Sequence, residues 1–520
     1  MTNRTIARRD VLKLAAASSL TLLSGRRAWG SQPHGGYPFS LGVASGDPWP
    51  DGFVIWTRLA PAPLEPHGGM PMKVVPVEWE IAEDERFSRI VRTGSEFARP
   101  ELGHSVHVEV AGLKPGWRYW YRFRADGEVS RVGTVRTTPA AGVALDRVRI
   151  GVAGCQHYEE GWFTAYRHLG STDELDAIFH YGDYIYEHGP RDCTKRECVR
   201  THVGDELYSL DDYRRRYALY KQDPDLQFAH AAAPFLVSYD DHEVDNNWYA
   251  ECDQDGSPAE PFLMRRAAAF QAWYEHMPVR RAQFPAGGQI RMYRRFDYGD
   301  LLRVQVLDTR QYRNGGTKQP NTQLQGCRLN PSGPVTMLGA QQEEWLSAGL
   351  DNSARWNLLA QQVMVMPLTY PTSRAAGRVN VDSWSGYAAA RERLVADIRE
   401  RNLKNVVIAT GDVHQHHAGV VPVREGDLDG PAAATEFVCT SISSGGDGVE
   451  IGKSWQNTPA ENPHCQLFNA RRGYQIFDIG HDVWRTQVWT MDKVSAPGGR
   501  ASIATSFAVE RGKVALNRDS

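Results

Sequence analysis

Four apolar stretches of this chain run into side chains able to bind a cation. Gly154-Cys155-Gln156 offers a thiol, and Gly182-Asp183-Tyr184-Ile185-Tyr186 a carboxylate and a phenol. Asp240-Asp241-His242-Glu243 and Gly411-Asp412-Val413-His414 each combine carboxylate with imidazole. In the second stretch, FHYGDYIYE at 179–187, Tyr186 follows Asp183 closely enough for both oxygens to reach one ion. A phenol with an ordinary pKa of about 10 becomes an anionic ligand only beside a strongly polarising cation. Taken singly, each stretch also reads as a satisfied structural pair or a loop carboxylate among core tyrosines. Four such endings in order, each directly after an apolar run, point to one shared cation site.

A sheet must position them. A buried strand ending in Gly-Asp sets a carboxylate on the sheet's carboxyl edge, where open α/β sheets bind ligands. Strands are predicted at 148–153, in the run into Asp183, and at 234–239, 301–307, 357–366 and 405–409. Helical patterns fall at 162–169, 213–230, 262–276, 340–350 and 387–401. Alternation from the small linker Thr138-Pro139-Ala140-Ala141-Gly142 to near the carboxyl terminus predicts one large α/β domain. Residues 37–140 differ: short alternating strands are separated by turns such as Lys114-Pro115-Gly116 and Asp126-Gly127. That spacing predicts a β-sandwich with a packing or positioning role.

The 520 residues suffice for two or three domains, and 59 basic against 62 acidic side chains give no reason to expect a nucleic-acid partner. Arg8-Arg9-Asp10-Val11-Leu12-Lys13, an apolar run at 14–23 and Ala28-Trp29-Gly30 form a twin-arginine signal pattern with a cleavage site. Residues 1–30 are therefore set apart as an export signal. The expectation is a secreted or periplasmic protein that meets the twin-arginine export machinery and keeps no transmembrane segment when mature. Seven cysteines leave at least one outside any intramolecular bridge; Cys193 and Cys198, in one short polar loop, are placed to bridge locally.

The ordered endings resemble the D-x-H, GD, GNH[ED] and GH-x-H motifs of calcineurin-like metallophosphoesterases, with Gly-Cys, Asp-Asp-His-Glu and Gly-Asp-Val-His as departures. Those departures match a narrower group. GVAGCQHYEEGWFTAYRHL, HYGDYIYE, YDDHEVDNNW, LDTRQYR, DSWSGY and ATGDVH are together similar to the PhoD-type alkaline phosphatases, over most of 37–490. The resemblance implies an α/β (α+β) fold. A metallophosphoesterase two-sheet β core flanked by helices would span 146–495, preceded by a fibronectin III-like β-sandwich at 37–140 and followed by a C-terminal extension at 496–520.

It further implies Fe3+ and Ca2+ as cofactors. Cys155, Asp183, Tyr186, Asp412 and His414 match positions that hold or bridge the ferric ion, with Asp183 shared between the ions. Asp241 stands where the parent superfamily has a metal-binding Asn. Thiolate and phenolate suit ferric iron and oxygen ligands suit calcium, and a thiolate role keeps Cys155 out of disulfides. His242 is the catalytic candidate, bonding the phosphoryl group or protonating the leaving oxygen. Asn246 and Arg310 are candidate substrate contacts, Arg310 alternatively pairing with Asp308; His416 and His417 read as structural or surface residues. The implied activity is hydrolysis of phosphate mono- and diesters by metal-activated hydroxide, with phospholipase D of the same family as the alternative. A non-catalytic envelope binding protein would require decayed metal positions, yet all of them are present.

Overall fold

The computed structural model describes residues 36–195, 198–314, 335–369 and 380–519. The predicted signal at 1–30, and Cys327, lie outside them. Two sheets, of ten and seven strands, pack face to face. In the larger, Arg147–Ala153, Ala177–His180 and Phe235–Val237 are parallel neighbours. In the smaller, Leu302–Val306, Trp356–Ala360 and Val406–Thr410 are likewise parallel. The strand period of two sends Ile150, Val152 and Phe179 inward against Val304, Leu358 and Val407. The intervening Ile178, Leu359 and Ile408 face outward, under helices. Thr164–Gly170, Leu210–Lys221 and Ala259–His276 cover the larger sheet, and Gly339–Gly349 and Ala388–Glu400 the smaller. This is the two-sheet core flanked by helices.

The α/β alternation stops at Thr410, earlier than the sequence pattern suggests. Beyond it the chain is almost wholly antiparallel β, from His416–Pro422 to Val483–Met491, broken by the short helix Thr458–Glu461. Apolar residues there recur at the strand period, as Trp484, Val488 and Phe477 show by pointing into the shared core. The segment expected as a C-terminal extension at 496–520 is also part of the fold. Ala501–Glu510 pairs with Val483–Met491 and buries Phe507 and Val509 between the sheets. It supplies packing rather than site chemistry, so it carries no motif.

The sandwich predicted at 37–140 is present but is not a separate body. Val43–Trp49, Gly52–Arg58 and Ser105–Val110 form one end of the ten-stranded sheet and pack on the five-stranded sheet that contains Val75–Ala82 and Arg118–Ala125. The join is the parallel pair Gly46 with Phe235. A Cβ on Gly46 would lie 2.7 Å from the Phe235 carbonyl oxygen and 2.3 Å from that of Pro278, so a side chain there would force the two strands apart.

Lys221 ties this joint to the site. It ends a helix that starts with a reciprocal Ser209–Asp212 capping box, and it is buried with its ammonium 4.3 Å from the Trp56 ring and 5.2 Å from that of Tyr184. Burial alone pulls its pKa down from 10.5 to about 7. Between those values the unfolded chain holds a proton that the folded chain does not, so stability contributed here rises with pH. Lys221→Met is expected to raise the melting temperature more at pH 7 than at pH 10, read by calorimetry. Parallel pH profiles of the two proteins would refute this.

Candidate metal centre

The four strand endings converge, but not from one sheet edge. Three come from the ten-stranded sheet and the fourth, after Val406–Thr410, from the facing seven-stranded sheet, and three of the four turn sharply. Cys155, Asp183, Asp412 and His414 all take left-handed backbone conformations, with φ of 51°, 54°, 67° and 57°. Strain of this kind persists where the surroundings over-determine it, and it clusters at functional sites. Tyr181 explains the preceding glycines. Its ring fills the space a Cβ would need on Gly154 (2.3 Å) and on Gly411 (2.1 Å), and its hydroxyl donates to the Thr440 carbonyl at 2.8 Å. The endings are also laced together: the Cys155 and Gln156 amides donate to the Gly182 and Asp183 carbonyls, each at 3.0 Å.

Asp183 stands at the middle. Its Oδ2 accepts from the Cys155 thiol at 3.2 Å and the Tyr186 hydroxyl at 3.0 Å, and lies 4.0 Å from His414 Nε2. Tyr186 Oη is also 3.3 Å from His414 Nε2 and 2.6 Å from Ser444 Oγ. Three donor groups have their ligand atoms within 4.8 Å of one another here: Cys155, Asp183 and His414; Asp183, Asp241 and His242; and Asp240, Asp241 and Asp412. Asp183 belongs to the first two. Asp412, which the resemblance puts at a position that holds or bridges the ferric ion, has its carboxylate beside those of Asp240 and Asp241 and also acts on the Cys155 thiol.

The electrostatics suit a cation. Burial, with Asp241 adding to it, pushes the Asp183 carboxyl up to about 7 against the opposing pull of His242. Burial, then Asp240 and Asp382, raise Asp412 well above the carboxylate range. Burial and the neighbouring carboxylates likewise raise the Cys155 thiol, and burial with Asp183 and Cys155 the Tyr186 phenol. Burial also works against Asp241, but Arg310 and His242 outweigh it and hold that carboxyl below its usual value. Asp183 Oδ1, Asp240 Oδ2 and Asp382 Oδ2 are buried and accept no hydrogen bond among the described residues. Unpaired buried carboxylate oxygens are costly. A cation relieves both the orphaned oxygens and the mutual repulsion, so the donor set fits metal binding.

His242 lies against the Tyr186 ring, centroids 4.2 Å apart, and its Nδ1 donates to Glu187 Oε2 at 2.7 Å. Burial disfavours the imidazolium, but Glu187, Asp241 and Asp183 together raise its pKa well above the ordinary value. Asn246 is half-buried: its amide group donates to Gln254 at 2.5 Å and its main-chain N–H to Glu187 at 2.8 Å. The Arg310 side chain pairs with carboxylates other than Asp308. Its buried guanidinium reaches Asp240 (2.5 Å), Asp382 (2.7 Å), Asp412 (3.3 Å) and Asp241 (3.5 Å). Asp308 instead accepts the Arg310 main-chain N–H at 3.0 Å and the Tyr239 hydroxyl. His416 and His417 are buried strand residues facing the Trp489 and Leu467 carbonyls.

Sequence reasoning assigned no role to Glu187, Asp240, Asp382 or Ser444, which the fold brings to this site. Glu187 and Asp382 lie inside quoted motifs, whereas nothing around Ser444 marks it. Cys193 and Cys198 are bridged, with Cα atoms 5.5 Å apart, and Cys252 is in a disulfide as well. Cys155, Cys439 and Cys465 are free and buried.

Comparison with known proteins agrees with this geometry. Residues 150–488 match the model of the PhoD-like phosphatase, and residues 25–139 that of the PhoD-like phosphatase N-terminal domain. The chain is 45% identical to alkaline phosphatase D of Bacillus subtilis (strain 168) over 491 residues, 93% of this chain and 83% of that protein. A solved structure described as that of PhoD superposes with a TM-score of 0.87 at 43% identity, covering 93% of this chain and 92% of the other.

Proposed function

The chain belongs to the PhoD-like phosphatase family and is a phosphatase hydrolase, and on that premise we propose an exported enzyme that hydrolyses phosphate mono- and diesters at a two-ion centre built on Asp183. The observation that carries this reading is the membership of Asp183 in two donor groups at once, one containing a thiol and the other oxygen-rich. Cys155, Tyr186 and His414 would join Asp183 around ferric iron, a choice of ion that rests on the anionic thiolate and phenolate donors, which stabilise the ferric state. Asp183, Asp241 and Asp412 would hold calcium on the oxygen-rich side, with Asp240 beside them. Bound cations supply charge neutralisation at phosphorus and a nucleophile at moderate pH.

The chain's own groups do the rest. Glu187 holds Nδ1 of His242, leaving Nε2 free to carry a proton towards the leaving oxygen. Arg310 fixes Asp241 and Asp412 in one orientation while offsetting their charge. The twin-arginine pattern at Arg8-Arg9 motivates export, and no described helix is long and apolar enough to cross a membrane.

The test is an assay of the purified enzyme on an aryl phosphate monoester, a bis-aryl diester and phosphatidylcholine, with and without EGTA. Both synthetic esters should be cleaved. EGTA should lower the rate by about 100-fold or more, with recovery on adding calcium, because the ion supplies several kcal/mol of charge stabilisation. Cleavage of phosphatidylcholine alone would move the substrate class to phospholipids. Full activity after exhaustive calcium removal would refute the calcium side.

A further inference from the structure

We infer that Glu243 is a positioning residue that locks two of the site's loops into one frame, an inference that rests on the metal reading of this site. Glu243 is buried, yet it belongs to none of the donor groups found among the described residues. Its carboxylate faces main chain instead. Oε1 accepts the Tyr184 amide at 2.6 Å, while Oε2 accepts the Asp183 amide at 3.1 Å and the Asp240 amide at 2.8 Å.

Those three donors come from two loops, one after Ala177–His180 and one after Phe235–Val237. Each donor flanks or belongs to a carboxylate of the centre. The Asp183 amide belongs to a residue held at a φ of 54°, a conformation that needs external support. The constraint extends to a third loop, because the Gln156 amide donates to the Asp183 carbonyl at 3.0 Å. One carboxylate thus fixes the spacing between Asp183 and Asp241 and, through Asp183, the place of Cys155. A neutral or shorter side chain cannot accept all three bonds in this arrangement. Glutamine has the same shape but one acceptor oxygen, so its NH2 must face at least one backbone N–H.

The experiment is hydrogen–deuterium exchange with fragmentation on the full-length protein, as purified and after EDTA treatment, together with kinetics of Glu243→Gln. In the wild type the amides of Asp183, Tyr184 and Asp240 should exchange slowly, with or without metal. In Glu243→Gln they should exchange at least about tenfold faster, while the strands Arg147–Ala153 and Val406–Thr410 keep wild-type protection. The variant's kcat should fall about 100-fold with little change in KM, as displaced catalytic groups do. Calcium titrated into the EDTA-treated variant should bind more weakly.

Free exchange of the three amides in the EDTA-treated wild type would overturn the proposal without any variant. So would unchanged protection in Glu243→Gln, or a uniform rise across all strands, and a Glu243→Gln chain that does not fold would mark a global anchor rather than a local clamp. Exchange in stripped protein needs no metal, so its result is separable from failure of the metal reading. That reading fails only if the stripped wild type stays fully active.

Discussion

Asp183→Asn is expected to remove nearly all activity while leaving the protein at least as stable once stripped of metal. Asn keeps the size of the side chain and one oxygen but loses the charge on which both donor groups depend. In the present arrangement one carboxylate oxygen meets the Cys155 thiol and the Tyr186 hydroxyl, and the other is orphaned. Loss of the shared ligand should lower kcat/KM by on the order of 10³-fold, about 4 kcal/mol of transition-state stabilisation. Metal content should fall in parallel, measured by elemental analysis.

Stability should move the other way. Burial and Asp241 push the Asp183 carboxyl up to about 7, so its charged form is disfavoured where it stands. Replacing a buried carboxyl whose charge is disfavoured with a neutral amide relieves repulsion from Asp241. The melting temperature of stripped Asp183→Asn should therefore equal or exceed that of stripped wild type. A variant that keeps more than a tenth of wild-type activity, or one that loses activity only because it unfolds, would contradict a bridging role.

Much of the fold was legible because it rests on local patterns. The run VRIGVA before Gly154 and the run VVIAT before Gly411 are apolar, short and β-branched, and both form buried parallel strands. The carboxyl-terminal third was harder to read. VWRTQVWTM pairs antiparallel with its chain neighbours Gly473–Gly480 and Ala501–Glu510, but it buries Thr486 and leaves Trp489 partly exposed, so its apolar alternation is weak in the chain. The joining of sandwich and core through Gly46 was not legible at all, since it depends on how closely Phe235 and Pro278 approach.

The site shows the same division. Residues placed directly after strands could be named from the sequence, because a strand end fixes where the next side chain goes. Arg310 could not be placed that way. Its four carboxylates, those of the adjacent Asp240 and Asp241 and of Asp382 and Asp412, come from three stretches far apart in the chain, and only folding reveals that they share one cation. Ser444 likewise meets Tyr186 across 258 residues of sequence.

Tyr186→Phe tests the identity of the first ion, and its expected result is a colourless protein. The phenol meets Asp183 Oδ2, His414 Nε2 and Ser444 Oγ, so an ion held by Cys155 and Asp183 would lie within its reach. Burial, and the charges of Asp183 and Cys155, raise its pKa well above 10, so without a cation it stays a neutral phenol. Only a strongly polarising ion reverses that preference, and a phenolate or thiolate on ferric iron absorbs visible light by charge transfer. Purified wild type should therefore be coloured. Tyr186→Phe should lose or shift the band and lose about 100-fold in kcat, since removal of one charged ligand withdraws roughly 3 kcal/mol. Cys155→Ser should lose iron with little change of fold, as the thiol is free, buried and outside every disulfide. Tyr184→Phe is the control: the neighbouring tyrosine turns its hydroxyl away, to His230 Nε2 at 2.8 Å, and its loss should leave the band in place. An iron-free, colourless and fully active wild type would overturn the ferric assignment while leaving the Asp183 prediction standing.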